Sequence, residues 1–114
     1  MLTDPHTLDL IQRHHQKHDH YVSDYDLESA ETCLRFKPEK VAHMISPRPV
    51  LVVYAEDDCT VPPEEQFGCF GQLGEPKKLV KLPNAQHYES YYFCSPEMHE
   101  IGMSEAVAWF DKYL

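Results

Sequence analysis

The chain has 114 residues, 42% of them hydrophobic, and a formal net charge of −9. That length suits one modest domain with a small core, and the apolar fraction excludes a disordered chain. The acidic balance argues against nucleic-acid and anionic-membrane partners, and no apolar run reaches the length of a membrane span.

The N-terminal "MLTDPHTLDL" has neither a basic segment nor an apolar one, so no secretory signal and a cytoplasmic location are expected. The first helix is expected over residues 4–18. Thr3 or Asp4 can cap it, Pro5 suits its first turn, and Leu8, Ile11 and His15 share a face. A polar end, "RHHQKHDHY", follows. "LESAETCLR" (27–35) reads as a second helix, and "PEKVAHMI" (38–45) as a short third one with Val41, Met44 and Ile45 on one side. Pro47 and Pro49 break the helix, and "VLVVYA" (50–55) is a continuous apolar strand of the kind covered on both faces. Pro63 begins a helix over 63–73, with Gly74 well placed to end it. "KLVKL" (78–82) is the second strand, and the loop after Pro83 and Asn84 carries His87. Ser95 and Pro96 start the last helix, whose expected apolar stripe is Met103, Val107, Phe110 and Leu114, with Trp109 at its flank.

From residue 50 the order is strand, helix, strand, loop, helix: a βαβ unit with a covering helix, hence α/β. Two parallel strands alone make a poor sheet, so the chain reads as part of a larger α/β domain. Ligands of open α/β sheets gather outside the carboxyl ends of the strands. "EDD" (56–58) lies just past the first such end and "NAQHY" (84–88) just past the second. The crossover brings both to one edge, where a carboxylate can hold imidazole Nδ1 and leave the other nitrogen as a general base.

These residues resemble the C-terminal part of an α/β-hydrolase. "PVLVVYAEDDCTVPPEE" matches the family's G-x-x-D-x-x-V-P pattern at Ala55, Asp58, Val61 and Pro62, with alanine for glycine, and "KKLVKLPNAQHYESY" follows it. The lead-in "RFKPEKVAHMISPRPVLVV" is most similar to the dienelactone-hydrolase-like and prolyl-oligopeptidase-like branches. The resemblance implies a partial α/β-hydrolase fold, with the last two parallel strands, their crossover and the C-terminal helices. It assigns residues 27–114 to that domain and leaves 1–26 as an N-terminal helical segment. It makes Asp58 the triad acid and His87 the catalytic base, with no cofactor and no metal. An ester is the implied substrate class, with amides or peptides second, once an N-terminal part completes the site. The G-x-S-x-G nucleophile elbow that precedes the acid in that family is missing before Asp58.

Other features have plainer readings. "GMSEA" (102–106) half-matches an elbow, but no strand precedes it, so Ser104 is read as a helix residue. Cys59 is read as a structural loop cysteine, and all four cysteines as free thiols, since no C-x-x-C pair occurs. Glu56 and Asp57 are read as solvated or as favouring the next helix N-terminus. Asp24, Asp26, Glu28 and Glu31 are read as a solvated face. His14 and His18 stand i, i+4 in a histidine cluster with His15 and His20, so a small metal-binding protein is one alternative function. The other is a non-catalytic truncated hydrolase that pairs with a partner through an open sheet edge.

Overall fold

The computed structural model describes residues 4–15 and 26–114. It divides into two compact units, residues 1–38 and 39–114. The first holds two helices, α1 (Pro5–His15) and α2 (Leu27–Arg35). Asp4 caps α1 by accepting from the Thr7 N–H at 2.9 Å, and Asp26 caps α2 by accepting from the Ser29 N–H at 2.6 Å. Asp26 is therefore a cap, and its carboxyl lies below the usual range because that N–H favours the charged form. In α1 the expected inward face is displaced: Thr7 is buried and Leu8 is exposed. Thr3, the extension of α1 to residue 18, Asp24, and His18 and His20 of the histidine cluster lie outside the described residues.

A 3-10 helix, Pro38–Ile45, begins at the boundary and leads into the second unit, where the sequence suggests an ordinary short helix. Its buried residue is Ala42, whereas Val41, Met44 and Ile45 are exposed. The strands follow as expected: β1 (Val50–Ala55) and β2 (Lys77–Leu82) pair in parallel, from Val50↔Lys77 to Ala55↔Leu82. Between them runs α3 (Pro63–Gln72), and the chain closes with α4 (Pro96–Tyr113), capped by the Ser95 hydroxyl.

The register assigns the faces, because side chains alternate along a strand. Val53, Ala55 and Leu82 meet Ala85, Met98 and Ile101, so α4 covers this face. Tyr54 points the other way and meets Phe67 of α3 edge-on, with ring centroids 5.2 Å apart. The sheet is thus sandwiched between the two helices, as its apolar strands require.

Two expectations about helix faces and ends are corrected. The inward side of α4 is Met98, Ile101, Gly102 and Trp109, while Met103, Val107, Phe110 and Leu114 face outward. The reason is close approach: at Gly102 the helix backbone lies so near the sheet that an added Cβ would already touch Val53 and Leu82, at 3.5 and 3.9 Å. Gly74 does not end α3 through a left-handed turn, since no glycine has a positive φ. The Lys77 ammonium closes that helix end instead, donating to the carbonyls of Phe70 and Leu73 at 2.9 and 2.8 Å. Gly74 is needed for space, because a Cβ there would lie 2.5 Å from Ser46 Oγ and 2.8 Å from Ser46 Cβ.

The glycines therefore respond in opposite directions. Gly74→Ala is expected to destabilise by about 1–3 kcal/mol through overpacking, and Ser46→Gly should recover most of that loss in the double variant. Gly102→Ala meets only ordinary contacts and removes a mid-helix glycine, so a gain of about 0.5–1 kcal/mol is expected. Urea midpoints of the four variants check both signs.

Candidate active site

The site forms where the ladder runs out. Past the paired ends of the strands, Glu56 N–H donates to the Leu82 carbonyl at 3.0 Å and Asp57 N–H to the Ala85 carbonyl at 2.9 Å. These bonds carry the pairing beyond the sheet into the two loops. Asp58 then turns inward and is buried, with 6% of its surface exposed. A carboxylate at that depth needs donors, and it has three. Its Oδ1 accepts from the backbone N–H groups of Thr60 and Val61, at 2.9 and 2.8 Å. Its Oδ2 faces His87 Nδ1 at 2.8 Å. The two N–H contacts make a local Asx turn, so Asp58 does not cap α3, whose N-cap is Pro62 with no side-chain bond.

His87 opens a short 3-10 turn, His87–Ser90, where a plain loop is expected from the sequence. Its position is set by a capping box. The Glu89 N–H donates to the Gln86 backbone carbonyl at 3.0 Å, and Glu89 Oε2 takes the backbone N–H of Gln86 at 2.6 Å. Tyr88 stands edge-on to the imidazole, with centroids 4.8 Å apart. An ionised carboxylate only accepts hydrogen bonds, so His87 Nδ1 carries the hydrogen and Nε2 keeps its lone pair. The ring is 31% exposed and lines an open cleft of about 270 Å³, bounded also by Tyr54, Val61, Gln66 and Leu82. The structure thus brings Asp58 and His87 into direct contact.

The hydroxyls and thiols nearby are otherwise engaged. Ser104 is an exposed α4 residue whose Oγ donates to the Ile101 carbonyl at 3.0 Å, in keeping with its sequence reading as a helix residue. Cys59 is an exposed loop residue whose Sγ donates to Gln86 Oε1 at 2.8 Å. Ser90 also lines the cleft, and sequence reasoning passed over it. It lies on the turn that carries the histidine, and its Oγ donates to the His87 carbonyl at 3.2 Å. All four cysteines are free thiols. Among the described residues no cluster of three or more His, Cys, Asp or Glu side chains is arranged to hold a metal ion.

Sequence reasoning also missed the role of Glu56. It is neither simply solvated nor directed at a helix N-terminus. Its Oε1 takes the Lys81 ammonium at 2.6 Å and its Oε2 takes the Asn84 N–H at 3.0 Å. Among the described residues Asn84 is the non-glycine residue with positive φ, at 52°, and it follows Pro83 in the turn leaving β2. An asparagine in that conformation after a proline signals the turn, but nothing in the sequence says that a carboxylate from β1 reaches it.

With that geometry the molecule falls into a known class. It has a partial α/β-hydrolase fold, in which the final strand–helix–strand unit and covering helix carry an acid and a histidine at one sheet edge. Among solved structures it is similar to the α/β hydrolase GrgF from Penicillium sp. sh18, with a TM-score of 0.76 at 20% sequence identity. The similarity covers 94% of this chain and 36% of that one, so the chain spans little more than a third of that hydrolase. No protein-family model and no curated protein matches the sequence. Among the described residues no helix is long and apolar enough to cross a membrane.

The Glu56–Lys81 contact titrates predictably. The Lys81 hydrogen bond, and then the Asn84 N–H, hold the Glu56 carboxyl below its ordinary value, while Glu56 raises Lys81. The contact is therefore complete above the ordinary carboxylate value of about 4.3 and is lost as pH falls through the lowered one. On the alkaline side it is complete below about 10.4 and is lost as pH rises through the raised lysine value. Carboxyl ¹³C NMR is expected to show Glu56 titrating below the ordinary range in the native chain and moving up towards it in Lys81→Met. An unchanged midpoint would remove the ion-pair account.

Proposed function

We propose that residues 27–114 are the C-terminal, acid- and histidine-bearing part of a serine-type α/β-hydrolase acting on esters, with amides or peptides less favoured. The observation that carries this reading is the 2.8 Å contact between buried Asp58 and His87 at the mouth of a cleft on the carboxyl edge of the sheet. In such a pair the acid fixes the imidazole tautomer and stabilises the imidazolium. The free Nε2 then deprotonates a serine and returns the proton to the leaving group. The serine and the oxyanion donors come from a further polypeptide segment placed along the open edge of the sheet. The dienelactone-hydrolase-like and prolyl-oligopeptidase-like branches remain the family-level expectation, on the strength of the residues leading into β1.

A second reading is a non-catalytic interaction module. Val107, Phe110 and Met103 on the outward side of α4 are 53%, 57% and 47% exposed, and favour a covering partner. In both readings the 114-residue chain by itself is inert.

The purified chain is accordingly expected not to turn over p-nitrophenyl esters faster than its His87→Ala variant does. A burst abolished by Ser90→Ala, Ser104→Ala or Cys59→Ala would overturn this and identify that residue as the nucleophile. When the nucleophile-bearing part of a matching hydrolase is supplied, turnover is expected to appear. Asp58→Asn should then lower it by about 10⁴-fold, the scale of that change in a serine triad. Docking without turnover would favour the interaction module.

A further inference from the structure

The loop after β1 and the loop after β2 are bonded residue for residue. Glu56 holds Asn84 through its carboxylate, and Asp57 holds Ala85 through its backbone N–H. Cys59 holds Gln86 through its thiol, and Asp58 holds His87. Residues 56–59 thus meet residues 84–87, in order at the first two contacts and crossed at the other two, one of which is the acid–base pair. We propose that Glu56 is a positioning residue for His87, anchoring the far end of this zipper. The inference rests on reading Asp58 and His87 as an acid–base pair.

Three observations support Glu56 over the other members. It bonds two points of the opposite chain at once, the Lys81 ammonium of β2 and the Asn84 N–H beyond it, so it bridges the rigid strand and the turn. The turn it grips is the one that must be held, because Asn84 is in the left-handed region that most side chains avoid. Only Ala85 and Gln86 separate that turn from His87, so rotation at Asn84 swings the imidazole directly. Ala85 is buried in the core and fixes the middle of the segment, leaving Asn84 and the Glu56 carboxylate that accepts from its N–H to set the entry direction. Asp57, by contrast, contributes only its backbone and has an exposed side chain. Glu56 touches no reacting atom and acts through the turn.

The test uses the full chain labelled with ¹⁵N-histidine and reads the hydrogen-bonded Nδ1–H proton of His87 at low field. Asp58→Asn is the reference variant and should abolish the signal. If the signal persists there, the acid–base reading itself falls, and this proposal with it. Glu56→Ala is expected to abolish the signal or speed its exchange with water by at least about tenfold, the scale of a modest local opening. Glu56→Gln, whose amide oxygen still accepts from the Asn84 N–H, should restore much of the protection. Gly74→Ala, destabilised in a distant turn, should leave the signal as in the native chain. Loss in Glu56→Ala with recovery in Glu56→Gln and no change in Gly74→Ala supports a positioning role. A signal that Glu56→Ala leaves intact while Asp58→Asn removes it would make Glu56 a surface ion pair only. So would an equal loss in Gly74→Ala. Should Glu56→Ala fail to fold, Glu56→Ser, whose short side chain cannot reach the Asn84 N–H, gives the reading in its place. Faster exchange there supports the proposal, and native exchange overturns it.

Discussion

A carboxylate buried at the end of a strand must be fully hydrogen-bonded, and much of this structure follows from meeting that requirement at Asp58. Its own loop supplies two backbone N–H groups, and the third donor is an imidazole carried by the other strand. An unsatisfied buried polar group costs about 1–3 kcal/mol, and more when charged. The pairing therefore ties the geometry of the site to the stability of the unit that contains it. The two loops can meet because the strands are parallel and in register to their last residues, Ala55 and Leu82. Antiparallel strands would have put the acid and the histidine at opposite ends of the sheet.

The surrounding elements reinforce that constraint from several directions. Met98, Ile101 and Gly102 set α4 against one face of the sheet, and the contact between Tyr54 and Phe67 sets α3 against the other. The α3 crossover, closed at its end by Lys77, returns the chain to the start of β2. The capping box at Gln86 and Glu89 then fixes the turn that presents His87. Hydrogen bonds to backbone carbonyls and to Gln86 occupy Ser90, Ser104 and Cys59. The site is thus a carboxylate and an imidazole held together beside a cleft, and on the proposed reading they would serve proton transfer with a nucleophile from another segment.

The outward surface has a different physical character. In β1, the residues from Val50 to Tyr54 are only partly buried, although the run "VLVVYA" is of the type found in sheets covered on both faces. α4 is apolar on two sides, with Met98, Ile101 and Trp109 inward and Val107 and Phe110 outward. Exposed apolar surface of that kind is what a covering segment or partner would bury.

Much of this architecture is legible in the residues themselves. The prolines at 49, 63 and 96 mark element starts, the β-branched run marks β1, and the acids after it and the histidine after β2 mark one sheet edge. These signals are local, being set by backbone sterics, hydrogen-bonding groups and strand polarity, so sequence alone determines them. Which apolar stripe of α4 turns inward is not local, because Met98–Ile101–Trp109 and Met103–Val107–Phe110 are equally hydrophobic. The packing of Met98 and Ile101 against the cluster of Ala55, Leu82 and Ala85 selects between them. The same holds for Gly74, read from sequence as a helix stop but required by the bulk of Ser46, and for Glu56, whose partners Lys81 and Asn84 lie on β2 and in the turn after it. Sequence determined the order of elements and the acid and histidine they carry. Tertiary structure decided the facing, the spacing and the clamp, because those depend on contacts between residues far apart in the chain.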